Sequence, residues 1–100
     1  MEKRKPHYPL ATVKALARER RVRMTRTALE GGTAMGFSAA EMVGVVATLT
    51  GRQLYKSMTT HADHKVWHDV YHADTAKGVV YLKLTVIEDL LIVSFKEKDE

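Results

Sequence analysis

Residues 78–96 read GVVYLKLTVIEDLLIVSFK, two runs rich in β-branched, aliphatic and aromatic residues on either side of the polar pair Glu88-Asp89. Two such runs around a two-residue polar break predict an antiparallel hairpin. With Glu88 and Asp89 as the whole loop, Ile87 faces Leu90, and counting outward pairs Val86 with Leu91, Leu84 with Val93 and Leu82 with Phe95. That face is wholly apolar. Because side chains alternate along a strand, the other face carries Thr85 with Ile92, Lys83 with Ser94 and Tyr81 with Lys96. A phenol and an ammonium are thereby expected side by side. Tight two-residue turns favour Asn-Gly or Gly-X, and Glu-Asp is neither, so a longer loop with a bulge is the alternative register.

Working outward, LYKSMTTH and KVWHDVYH have the same β-rich character and are separated by a short Ala-Asp-His connection, giving four successive strands in a meander. Ahead of them the period is helical. After Pro9, suited to a first helical turn, Leu10, Val13, Leu16 and Ala17 share one face. Val22 and Met24 suggest a short strand, followed by a helix capped by Thr25 or Thr27 and ending at Gly36, with Gly31 and Gly32 weakening it from inside. Ser38-Ala-Ala-Glu41 is a capping box opening a helix whose Met42, Val45, Val46 and Leu49 form an apolar stripe closed by Thr50-Gly51. Helices followed by strands predict an α+β domain, a mainly antiparallel sheet packed on one face by two or three helices. The row Leu82, Leu84, Val86, Leu91, Val93 and Phe95 is expected to take the helices, leaving the opposite face for function.

A chain of 100 residues allows one domain, taken as residues 1–100. Its charge is uneven: residues 1–37 hold nine Lys or Arg against three Glu, a net of +6, while residues 38–100 hold seven against nine acids, a net of −2. Concentrated positive charge points to nucleic acid, an acidic protein surface or anionic lipid as partner. The opening MEKRKPHYPL lacks the apolar run of a signal peptide, no other run is long enough to span a bilayer, and there is no cysteine. These absences lead to the expectation of a cytoplasmic protein without disulfides or a thiolate nucleophile.

No Gly-rich phosphate loop, G-x-S-x-G, C-x-x-C or dinucleotide fingerprint is present. The group that can carry chemistry is therefore polar and lies on the predicted open face: Tyr81, Lys83, Ser94 and Lys96, with Lys56 and His68 beside them. Spacing alone favours the plainer reading, a solvated face with scattered lysines. Lys56 and His68 share a face only if facing residue numbers sum to an even number across their strands, and His68 reaches the face of Tyr81 only if the next sum is odd. On a helix, His61, His64, His68 and His72 would form a stripe suited to zinc, but the residues around them favour a strand, where only His68 and His72 share a face. No metal site and no cofactor are therefore predicted. Trp67, Tyr55 and Tyr71, beside Lys56, Lys65 and Arg52, can stack bases while the cations hold phosphates, or Trp67 can be core.

Across nearly its full length the chain resembles the MqsR toxins, the motility quorum-sensing regulators of bacterial toxin–antitoxin pairs. The resemblance runs through MEKRKPH, LATVKAL, VRMTRTAL, YKSMTTHADHKVWHDVY and VYLKLTVIEDLLIVSFKEK, the last two being highly specific. It implies a small RelE-like endoribonuclease that cleaves messenger RNA at GCU-type sites without metal and without the ribosome. It also implies a partner antitoxin of the MqsA type, with a zinc-binding part and a helix-turn-helix part, through which the toxin touches DNA and contributes to operon regulation. Carried over residue by residue, the implied catalytic set is Lys56, His68, Tyr81 and Lys96, with His68 standing where the family usually has glutamine.

Metal-free cleavage needs a base near the 2′-hydroxyl, a proton donor for the 5′-oxygen and positive charge on the phosphate. Lys56 and Lys96 suit the last role and Tyr81 and His68 the proton transfers, although a phenol ordinarily titrating near 10 needs neighbouring cations to act as a base. Lys83, Arg52, Tyr55 and Trp67, with the basic N-terminal third, are expected to hold the RNA. The alternatives are a non-catalytic RNA- or DNA-binding module using the same basic face, and a pure interaction protein.

Overall fold

The computed structural model describes residues 1–98. In chain order it comprises β1 (Glu2–Lys3), α1 (Leu10–Arg18), β2 (Val22–Met24), α2 (Arg26–Ala34), α3 (Ala39–Ala47), a single 3₁₀ turn (Gly51–Gln53), β3 (Leu54–Thr59), β4 (Trp67–Thr75), β5 (Gly78–Ile87) and β6 (Asp89–Glu97). The strands form one sheet in the order β1-β3-β4-β5-β6-β2. The meander β3 to β6 is antiparallel throughout, β1 adds antiparallel to β3, and β2 lies parallel to β6. This is the expected α+β architecture, with β1 as an addition that a two-residue strand is too short to announce through a period of two. No helix among the described residues is long and apolar enough to cross a membrane.

The helices begin where local chemistry directs. Pro9 caps α1 rather than entering it, its carbonyl accepting from the amides of Thr12 and Val13. Thr25, not Thr27, caps α2: its hydroxyl oxygen accepts from the Ala28 amide at 3.0 Å and donates to the Val93 carbonyl at 2.8 Å. The helix stops at Ala34, and Gly36 takes φ +88, the left-handed conformation that ends helices. Ser38 and Glu41 form both halves of the capping box, at 2.8 and 3.1 Å. Val13, Leu16, Met42, Val46 and Leu49 bury against Tyr71, Leu82, Leu84 and Phe95. Tyr71 thus belongs to the core.

The hairpin departs from its expected register near the turn. Tyr81 pairs with Lys96, Leu82 with Phe95 and Lys83 with Ser94 as counted, but Leu84 pairs with Ile92, Val86 with Leu90 and Ile87 with Asp89. The strands turn at Glu88 alone, which takes φ +64, and Val93 becomes the extra residue of a bulge that restores the register. Leu90 and Ile92 are consequently buried in place of Leu91 and Val93, and Thr25 takes up the bulge's carbonyl.

A polar anchor fixes the N-terminal segment. The buried carboxylate of Asp69 accepts from the amides of His7 and Tyr8, at 3.0 and 2.9 Å, and is reached by the Ser57 hydroxyl, which also lies against the Lys5 carbonyl. Tyr8 then places its hydroxyl on the Trp67 carbonyl and the Thr85 hydroxyl.

The glycines that weaken α2 as a helix permit its packing. A Cβ on Gly31 would stand 2.0 Å from the Phe95 carbonyl oxygen, whereas one on Gly44 in α3 would meet nothing within 4 Å. Gly31→Ala is expected to destabilise by about 1–3 kcal/mol through overpacking against backbone. Gly44→Ala is expected to stabilise by about 0.4–1 kcal/mol. Urea midpoints moving in opposite directions check both; a tolerated Gly31→Ala would mean that α2 sits further from β6.

Candidate active site on the open sheet face

The two-residue turn Ala76-Lys77 pairs Thr75 with Gly78, and the numbers of facing residues on β4 and β5 then sum to 153. His72 therefore faces Tyr81, which faces Lys96 across the next pair, so imidazole, phenol and ammonium form one row across three strands. The Lys96 Nζ lies 5.3 Å from the Tyr81 ring centroid, and the rings of His72 and Tyr81 are 6.0 Å apart.

Tyr55 extends the row. In an unbroken strand Tyr55 and Lys56 would point to opposite faces, but β3 carries a bulge between Leu54, which pairs with Tyr71, and Lys56, which pairs with Val70. Tyr55 consequently reaches the open face and stacks on His72, with ring centroids 4.5 Å apart and planes 20° from parallel. Tyr55, His72, Tyr81, Lys96, Glu97 and Lys98 line a shallow cleft of about 370 Å³.

The next row along the same face is Lys56, Val70, Lys83 and Ser94. The half-buried Lys83 ammonium is held below its usual pKa by desolvation and by the charges of Lys96 and Lys56. Glu2 on β1 answers Lys56, its carboxylate accepting from the ammonium at 2.6 Å. This hydrogen bond raises the pKa of Lys56 and lowers that of Glu2.

His68 meets both parity conditions without joining the row. It pairs with Met58, so it shares the face of Lys56, and the odd sum across β4 and β5 puts it on the face of Tyr81. It lies four residues from His72 along β4, roughly 13 Å at about 3.3 Å per residue. Burial and then Lys83 hold its imidazole below the ordinary range.

Trp67 departs from the expected RNA-binding group. Pairing with Thr59, it points to the opposite face from its neighbour His68 and is covered by His7, stacked at 4.9 Å, and by the Lys3 ammonium at 4.3 Å. Arg52 stands in the 3₁₀ turn on the far side of the Tyr55–His72 stack, in a second cleft with Arg4, Gln53 and Asp74. The basic N-terminal third divides: Arg4 approaches the Tyr55 ring at 6.0 Å, Arg21 pairs with Asp89, and Arg18 and Arg20 line a groove beside β2 at the other sheet edge. The four histidines do not converge, His61 and His64 lying in the exposed β3–β4 connection. Among the described residues no three His, Asp or Glu side chains are arranged to hold a metal ion.

His72 entered the sequence reading only as a metal ligand. The signal that identifies it is the Ala76-Lys77 turn, because a two-residue turn there suffices to put His72 opposite Tyr81.

Three helices lie behind one sheet face of a small α+β protein, and imidazole, phenols and ammonium groups are gathered on the other. The family described as motility quorum-sensing regulator, toxin of MqsA, matches residues 5–97. The mRNA interferase toxin MqsR of Escherichia coli (strain K12) is 50% identical over 98 residues, spanning 98% of this chain and 100% of that protein. The chain belongs to the MqsR toxin family.

Burial leads the causes that depress both His68 and His72, so each is expected to titrate below about 6.5 in the folded protein. Between that depressed value and 6.5 the unfolded chain binds more protons than the folded one, so stability rises with pH across this window and is lost on acidification through it. Imidazole NMR titrations read the midpoints directly. His68→Phe should flatten part of the stability slope just below about pH 6.5; an unchanged slope would show that His68 is solvated.

Proposed function

We propose that this protein is an endoribonuclease toxin that cleaves messenger RNA and is neutralised by an antitoxin. The observation that carries the reading is the row of Tyr81 and Lys96 on an open sheet face, in a chain 50% identical to a protein named mRNA interferase toxin. Cleavage proceeds by attack of the ribose 2′-oxygen on the adjacent phosphorus, which gathers negative charge as it becomes five-coordinate. Lys96 and Lys56 stabilise that charge, supplying what a metal would otherwise provide, and Tyr81 takes part in proton transfer. Lys83, Arg52 and Tyr55 hold the flanking nucleotides, Tyr55 by stacking, since the residue is 41% exposed. His68 serves the flank of the site, and Trp67, covered by the N-terminal segment, is left out of the RNA-binding group.

The family resemblance supports the finer reading: GCU-like cleavage sites, action on free messenger RNA without the ribosome, and a cytoplasmic setting. It likewise supports an MqsA-like antitoxin with zinc-binding and helix-turn-helix parts, through which the toxin meets DNA and its own operon. A non-catalytic RNA binder is the second reading, favoured by the Glu2 carboxylate already seated on Lys56.

Incubating the pure protein with RNA in EDTA separates the readings. Cleavage supports the toxin, retention without cleavage supports the binder, and indifference overturns both. Lys96→Ala and Tyr81→Phe are each expected to lower kcat/KM by roughly 100-fold or more, while His68→Gln costs less than about tenfold. Glu2→Gln, which frees Lys56 for phosphate, should tighten RNA binding, most visibly at low salt. Expression of the chain alone should slow growth and deplete messenger RNA, and co-expression of the antitoxin should abolish both effects.

A further inference from the structure

We infer that His72 is a catalytic residue of this ribonuclease, accepting the proton of the ribose 2′-hydroxyl as that oxygen attacks the neighbouring phosphorus. The inference rests on the ribonuclease reading and adds to it the group that starts the reaction.

Position is the first support. His72 is the middle member of the ring series Tyr55, His72 and Tyr81, and it lines the same cleft as Lys96. A phosphodiester held by Lys96 in that cleft lies beside this ring series. His68, the histidine that the family pattern brings forward, lies four residues earlier in β4 and pairs with Met58.

Chemistry is the second support. Of the site's side chains, the imidazole is the type that ordinarily exchanges protons near neutrality. Lys56 is unsuited to be the base, because its ion pair with Glu2 favours the protonated form. On the β3 side His72 meets Tyr55, with Lys56 and Arg4 near that ring, and Arg52 lines the cleft beyond the stack. Tyr81 faces it from β5, Lys96, Glu97 and Lys98 border it from the C-terminal side, and Asp74 lies two residues along its own strand. Burial and the Lys98 charge hold its pKa below the usual value, so at neutral pH the ring is unprotonated and ready to accept. Ring contacts with Tyr55 and Tyr81 hold it in the row.

The step balances without a further reactant. A ring nitrogen of His72 takes the 2′-hydroxyl proton, the 2′-oxygen bonds to phosphorus, the bond from phosphorus to the 5′-oxygen breaks, and the departing oxygen receives the Tyr81 phenolic proton. The products end in a 2′,3′-cyclic phosphate and a 5′-hydroxyl. Solvent returns the proton from imidazolium to phenolate.

Single-turnover cleavage of an RNA oligonucleotide in EDTA from pH 5 to 8 tests the role, with full-length wild type, His72→Phe and His72→Gln. Phenylalanine keeps a flat ring on Tyr55 but cannot carry a proton; glutamine is the second variant should phenylalanine disturb the fold. Wild type should lose activity on acidification through the imidazole pKa. Both variants should be slowed by roughly 100-fold or more and lack that acidic limb. Affinity for the same oligonucleotide carrying a 2′-deoxyribose at the mapped cleavage site should change by less than about threefold in a folded variant. Rates within tenfold of wild type with superimposable pH profiles would reduce His72 to a stacking support and overturn the assignment. A wild type that cleaves no RNA would instead overturn the ribonuclease reading itself, and the role of His72 with it.

Discussion

The buried carboxylate of Asp69 is the constraint on which the placement of the first nine residues depends. A carboxylate withdrawn from water is costly unless donors replace its hydration, and Asp69 has the amides of His7 and Tyr8 and the hydroxyl of Ser57. The same bonds stitch the N-terminal segment across β3 and β4. With that segment held, β1 can pair with β3, Glu2 can reach Lys56, and Pro9 is in position to start α1. The anchor and the site occupy opposite faces of the same strands: Ser57 and Asp69 serve the helix side, and their neighbours Lys56 and His68 serve the open side.

Two bulges then shape the working face. At Tyr55 the bulge lets consecutive residues both reach the open side, which makes the stack on His72 compatible with Lys56 one row away. At Val93 it restores the alternation after the one-residue turn at Glu88, so that Lys96 meets Tyr81 while Leu90, Ile92 and Phe95 all remain in the core. With the one-residue turn and no bulge, the pairing of Leu84 with Ile92 would carry on to put Tyr81 opposite Phe95 instead of Lys96.

Close packing and the proposed chemistry are divided between the two faces of one sheet. The helix side is closely packed, down to α2 glycines that leave no room for a methyl group. On the open side Lys83 is repelled by both Lys96 and Lys56, while the Glu2 carboxylate answers Lys56. Gathering like charge disfavours folding slightly, and an incoming phosphate offsets the repulsion, so the strain is relieved by the ligand the site is proposed to take.

The sequence by itself determined the three helices, the capping box of α3, the four-strand meander and the adjacency of Tyr81 and Lys96, because each follows from local periodicity, capping chemistry or a short turn. The family was also legible there, in long specific stretches. Tertiary structure decided the rest. Whether Glu88 turned alone or with Asp89 depended on a bulge that strand alternation does not encode, and that bulge chose Leu90 and Ile92 over Leu91 and Val93 for the core. Strand β1 had no period to read, and the amides that satisfy Asp69 lie more than sixty residues away along the chain. His72 rather than His68 came to face Tyr81 because register between strands is a long-range quantity. Parity fixes which face a residue joins, but only the sum across the pair fixes which residue it meets.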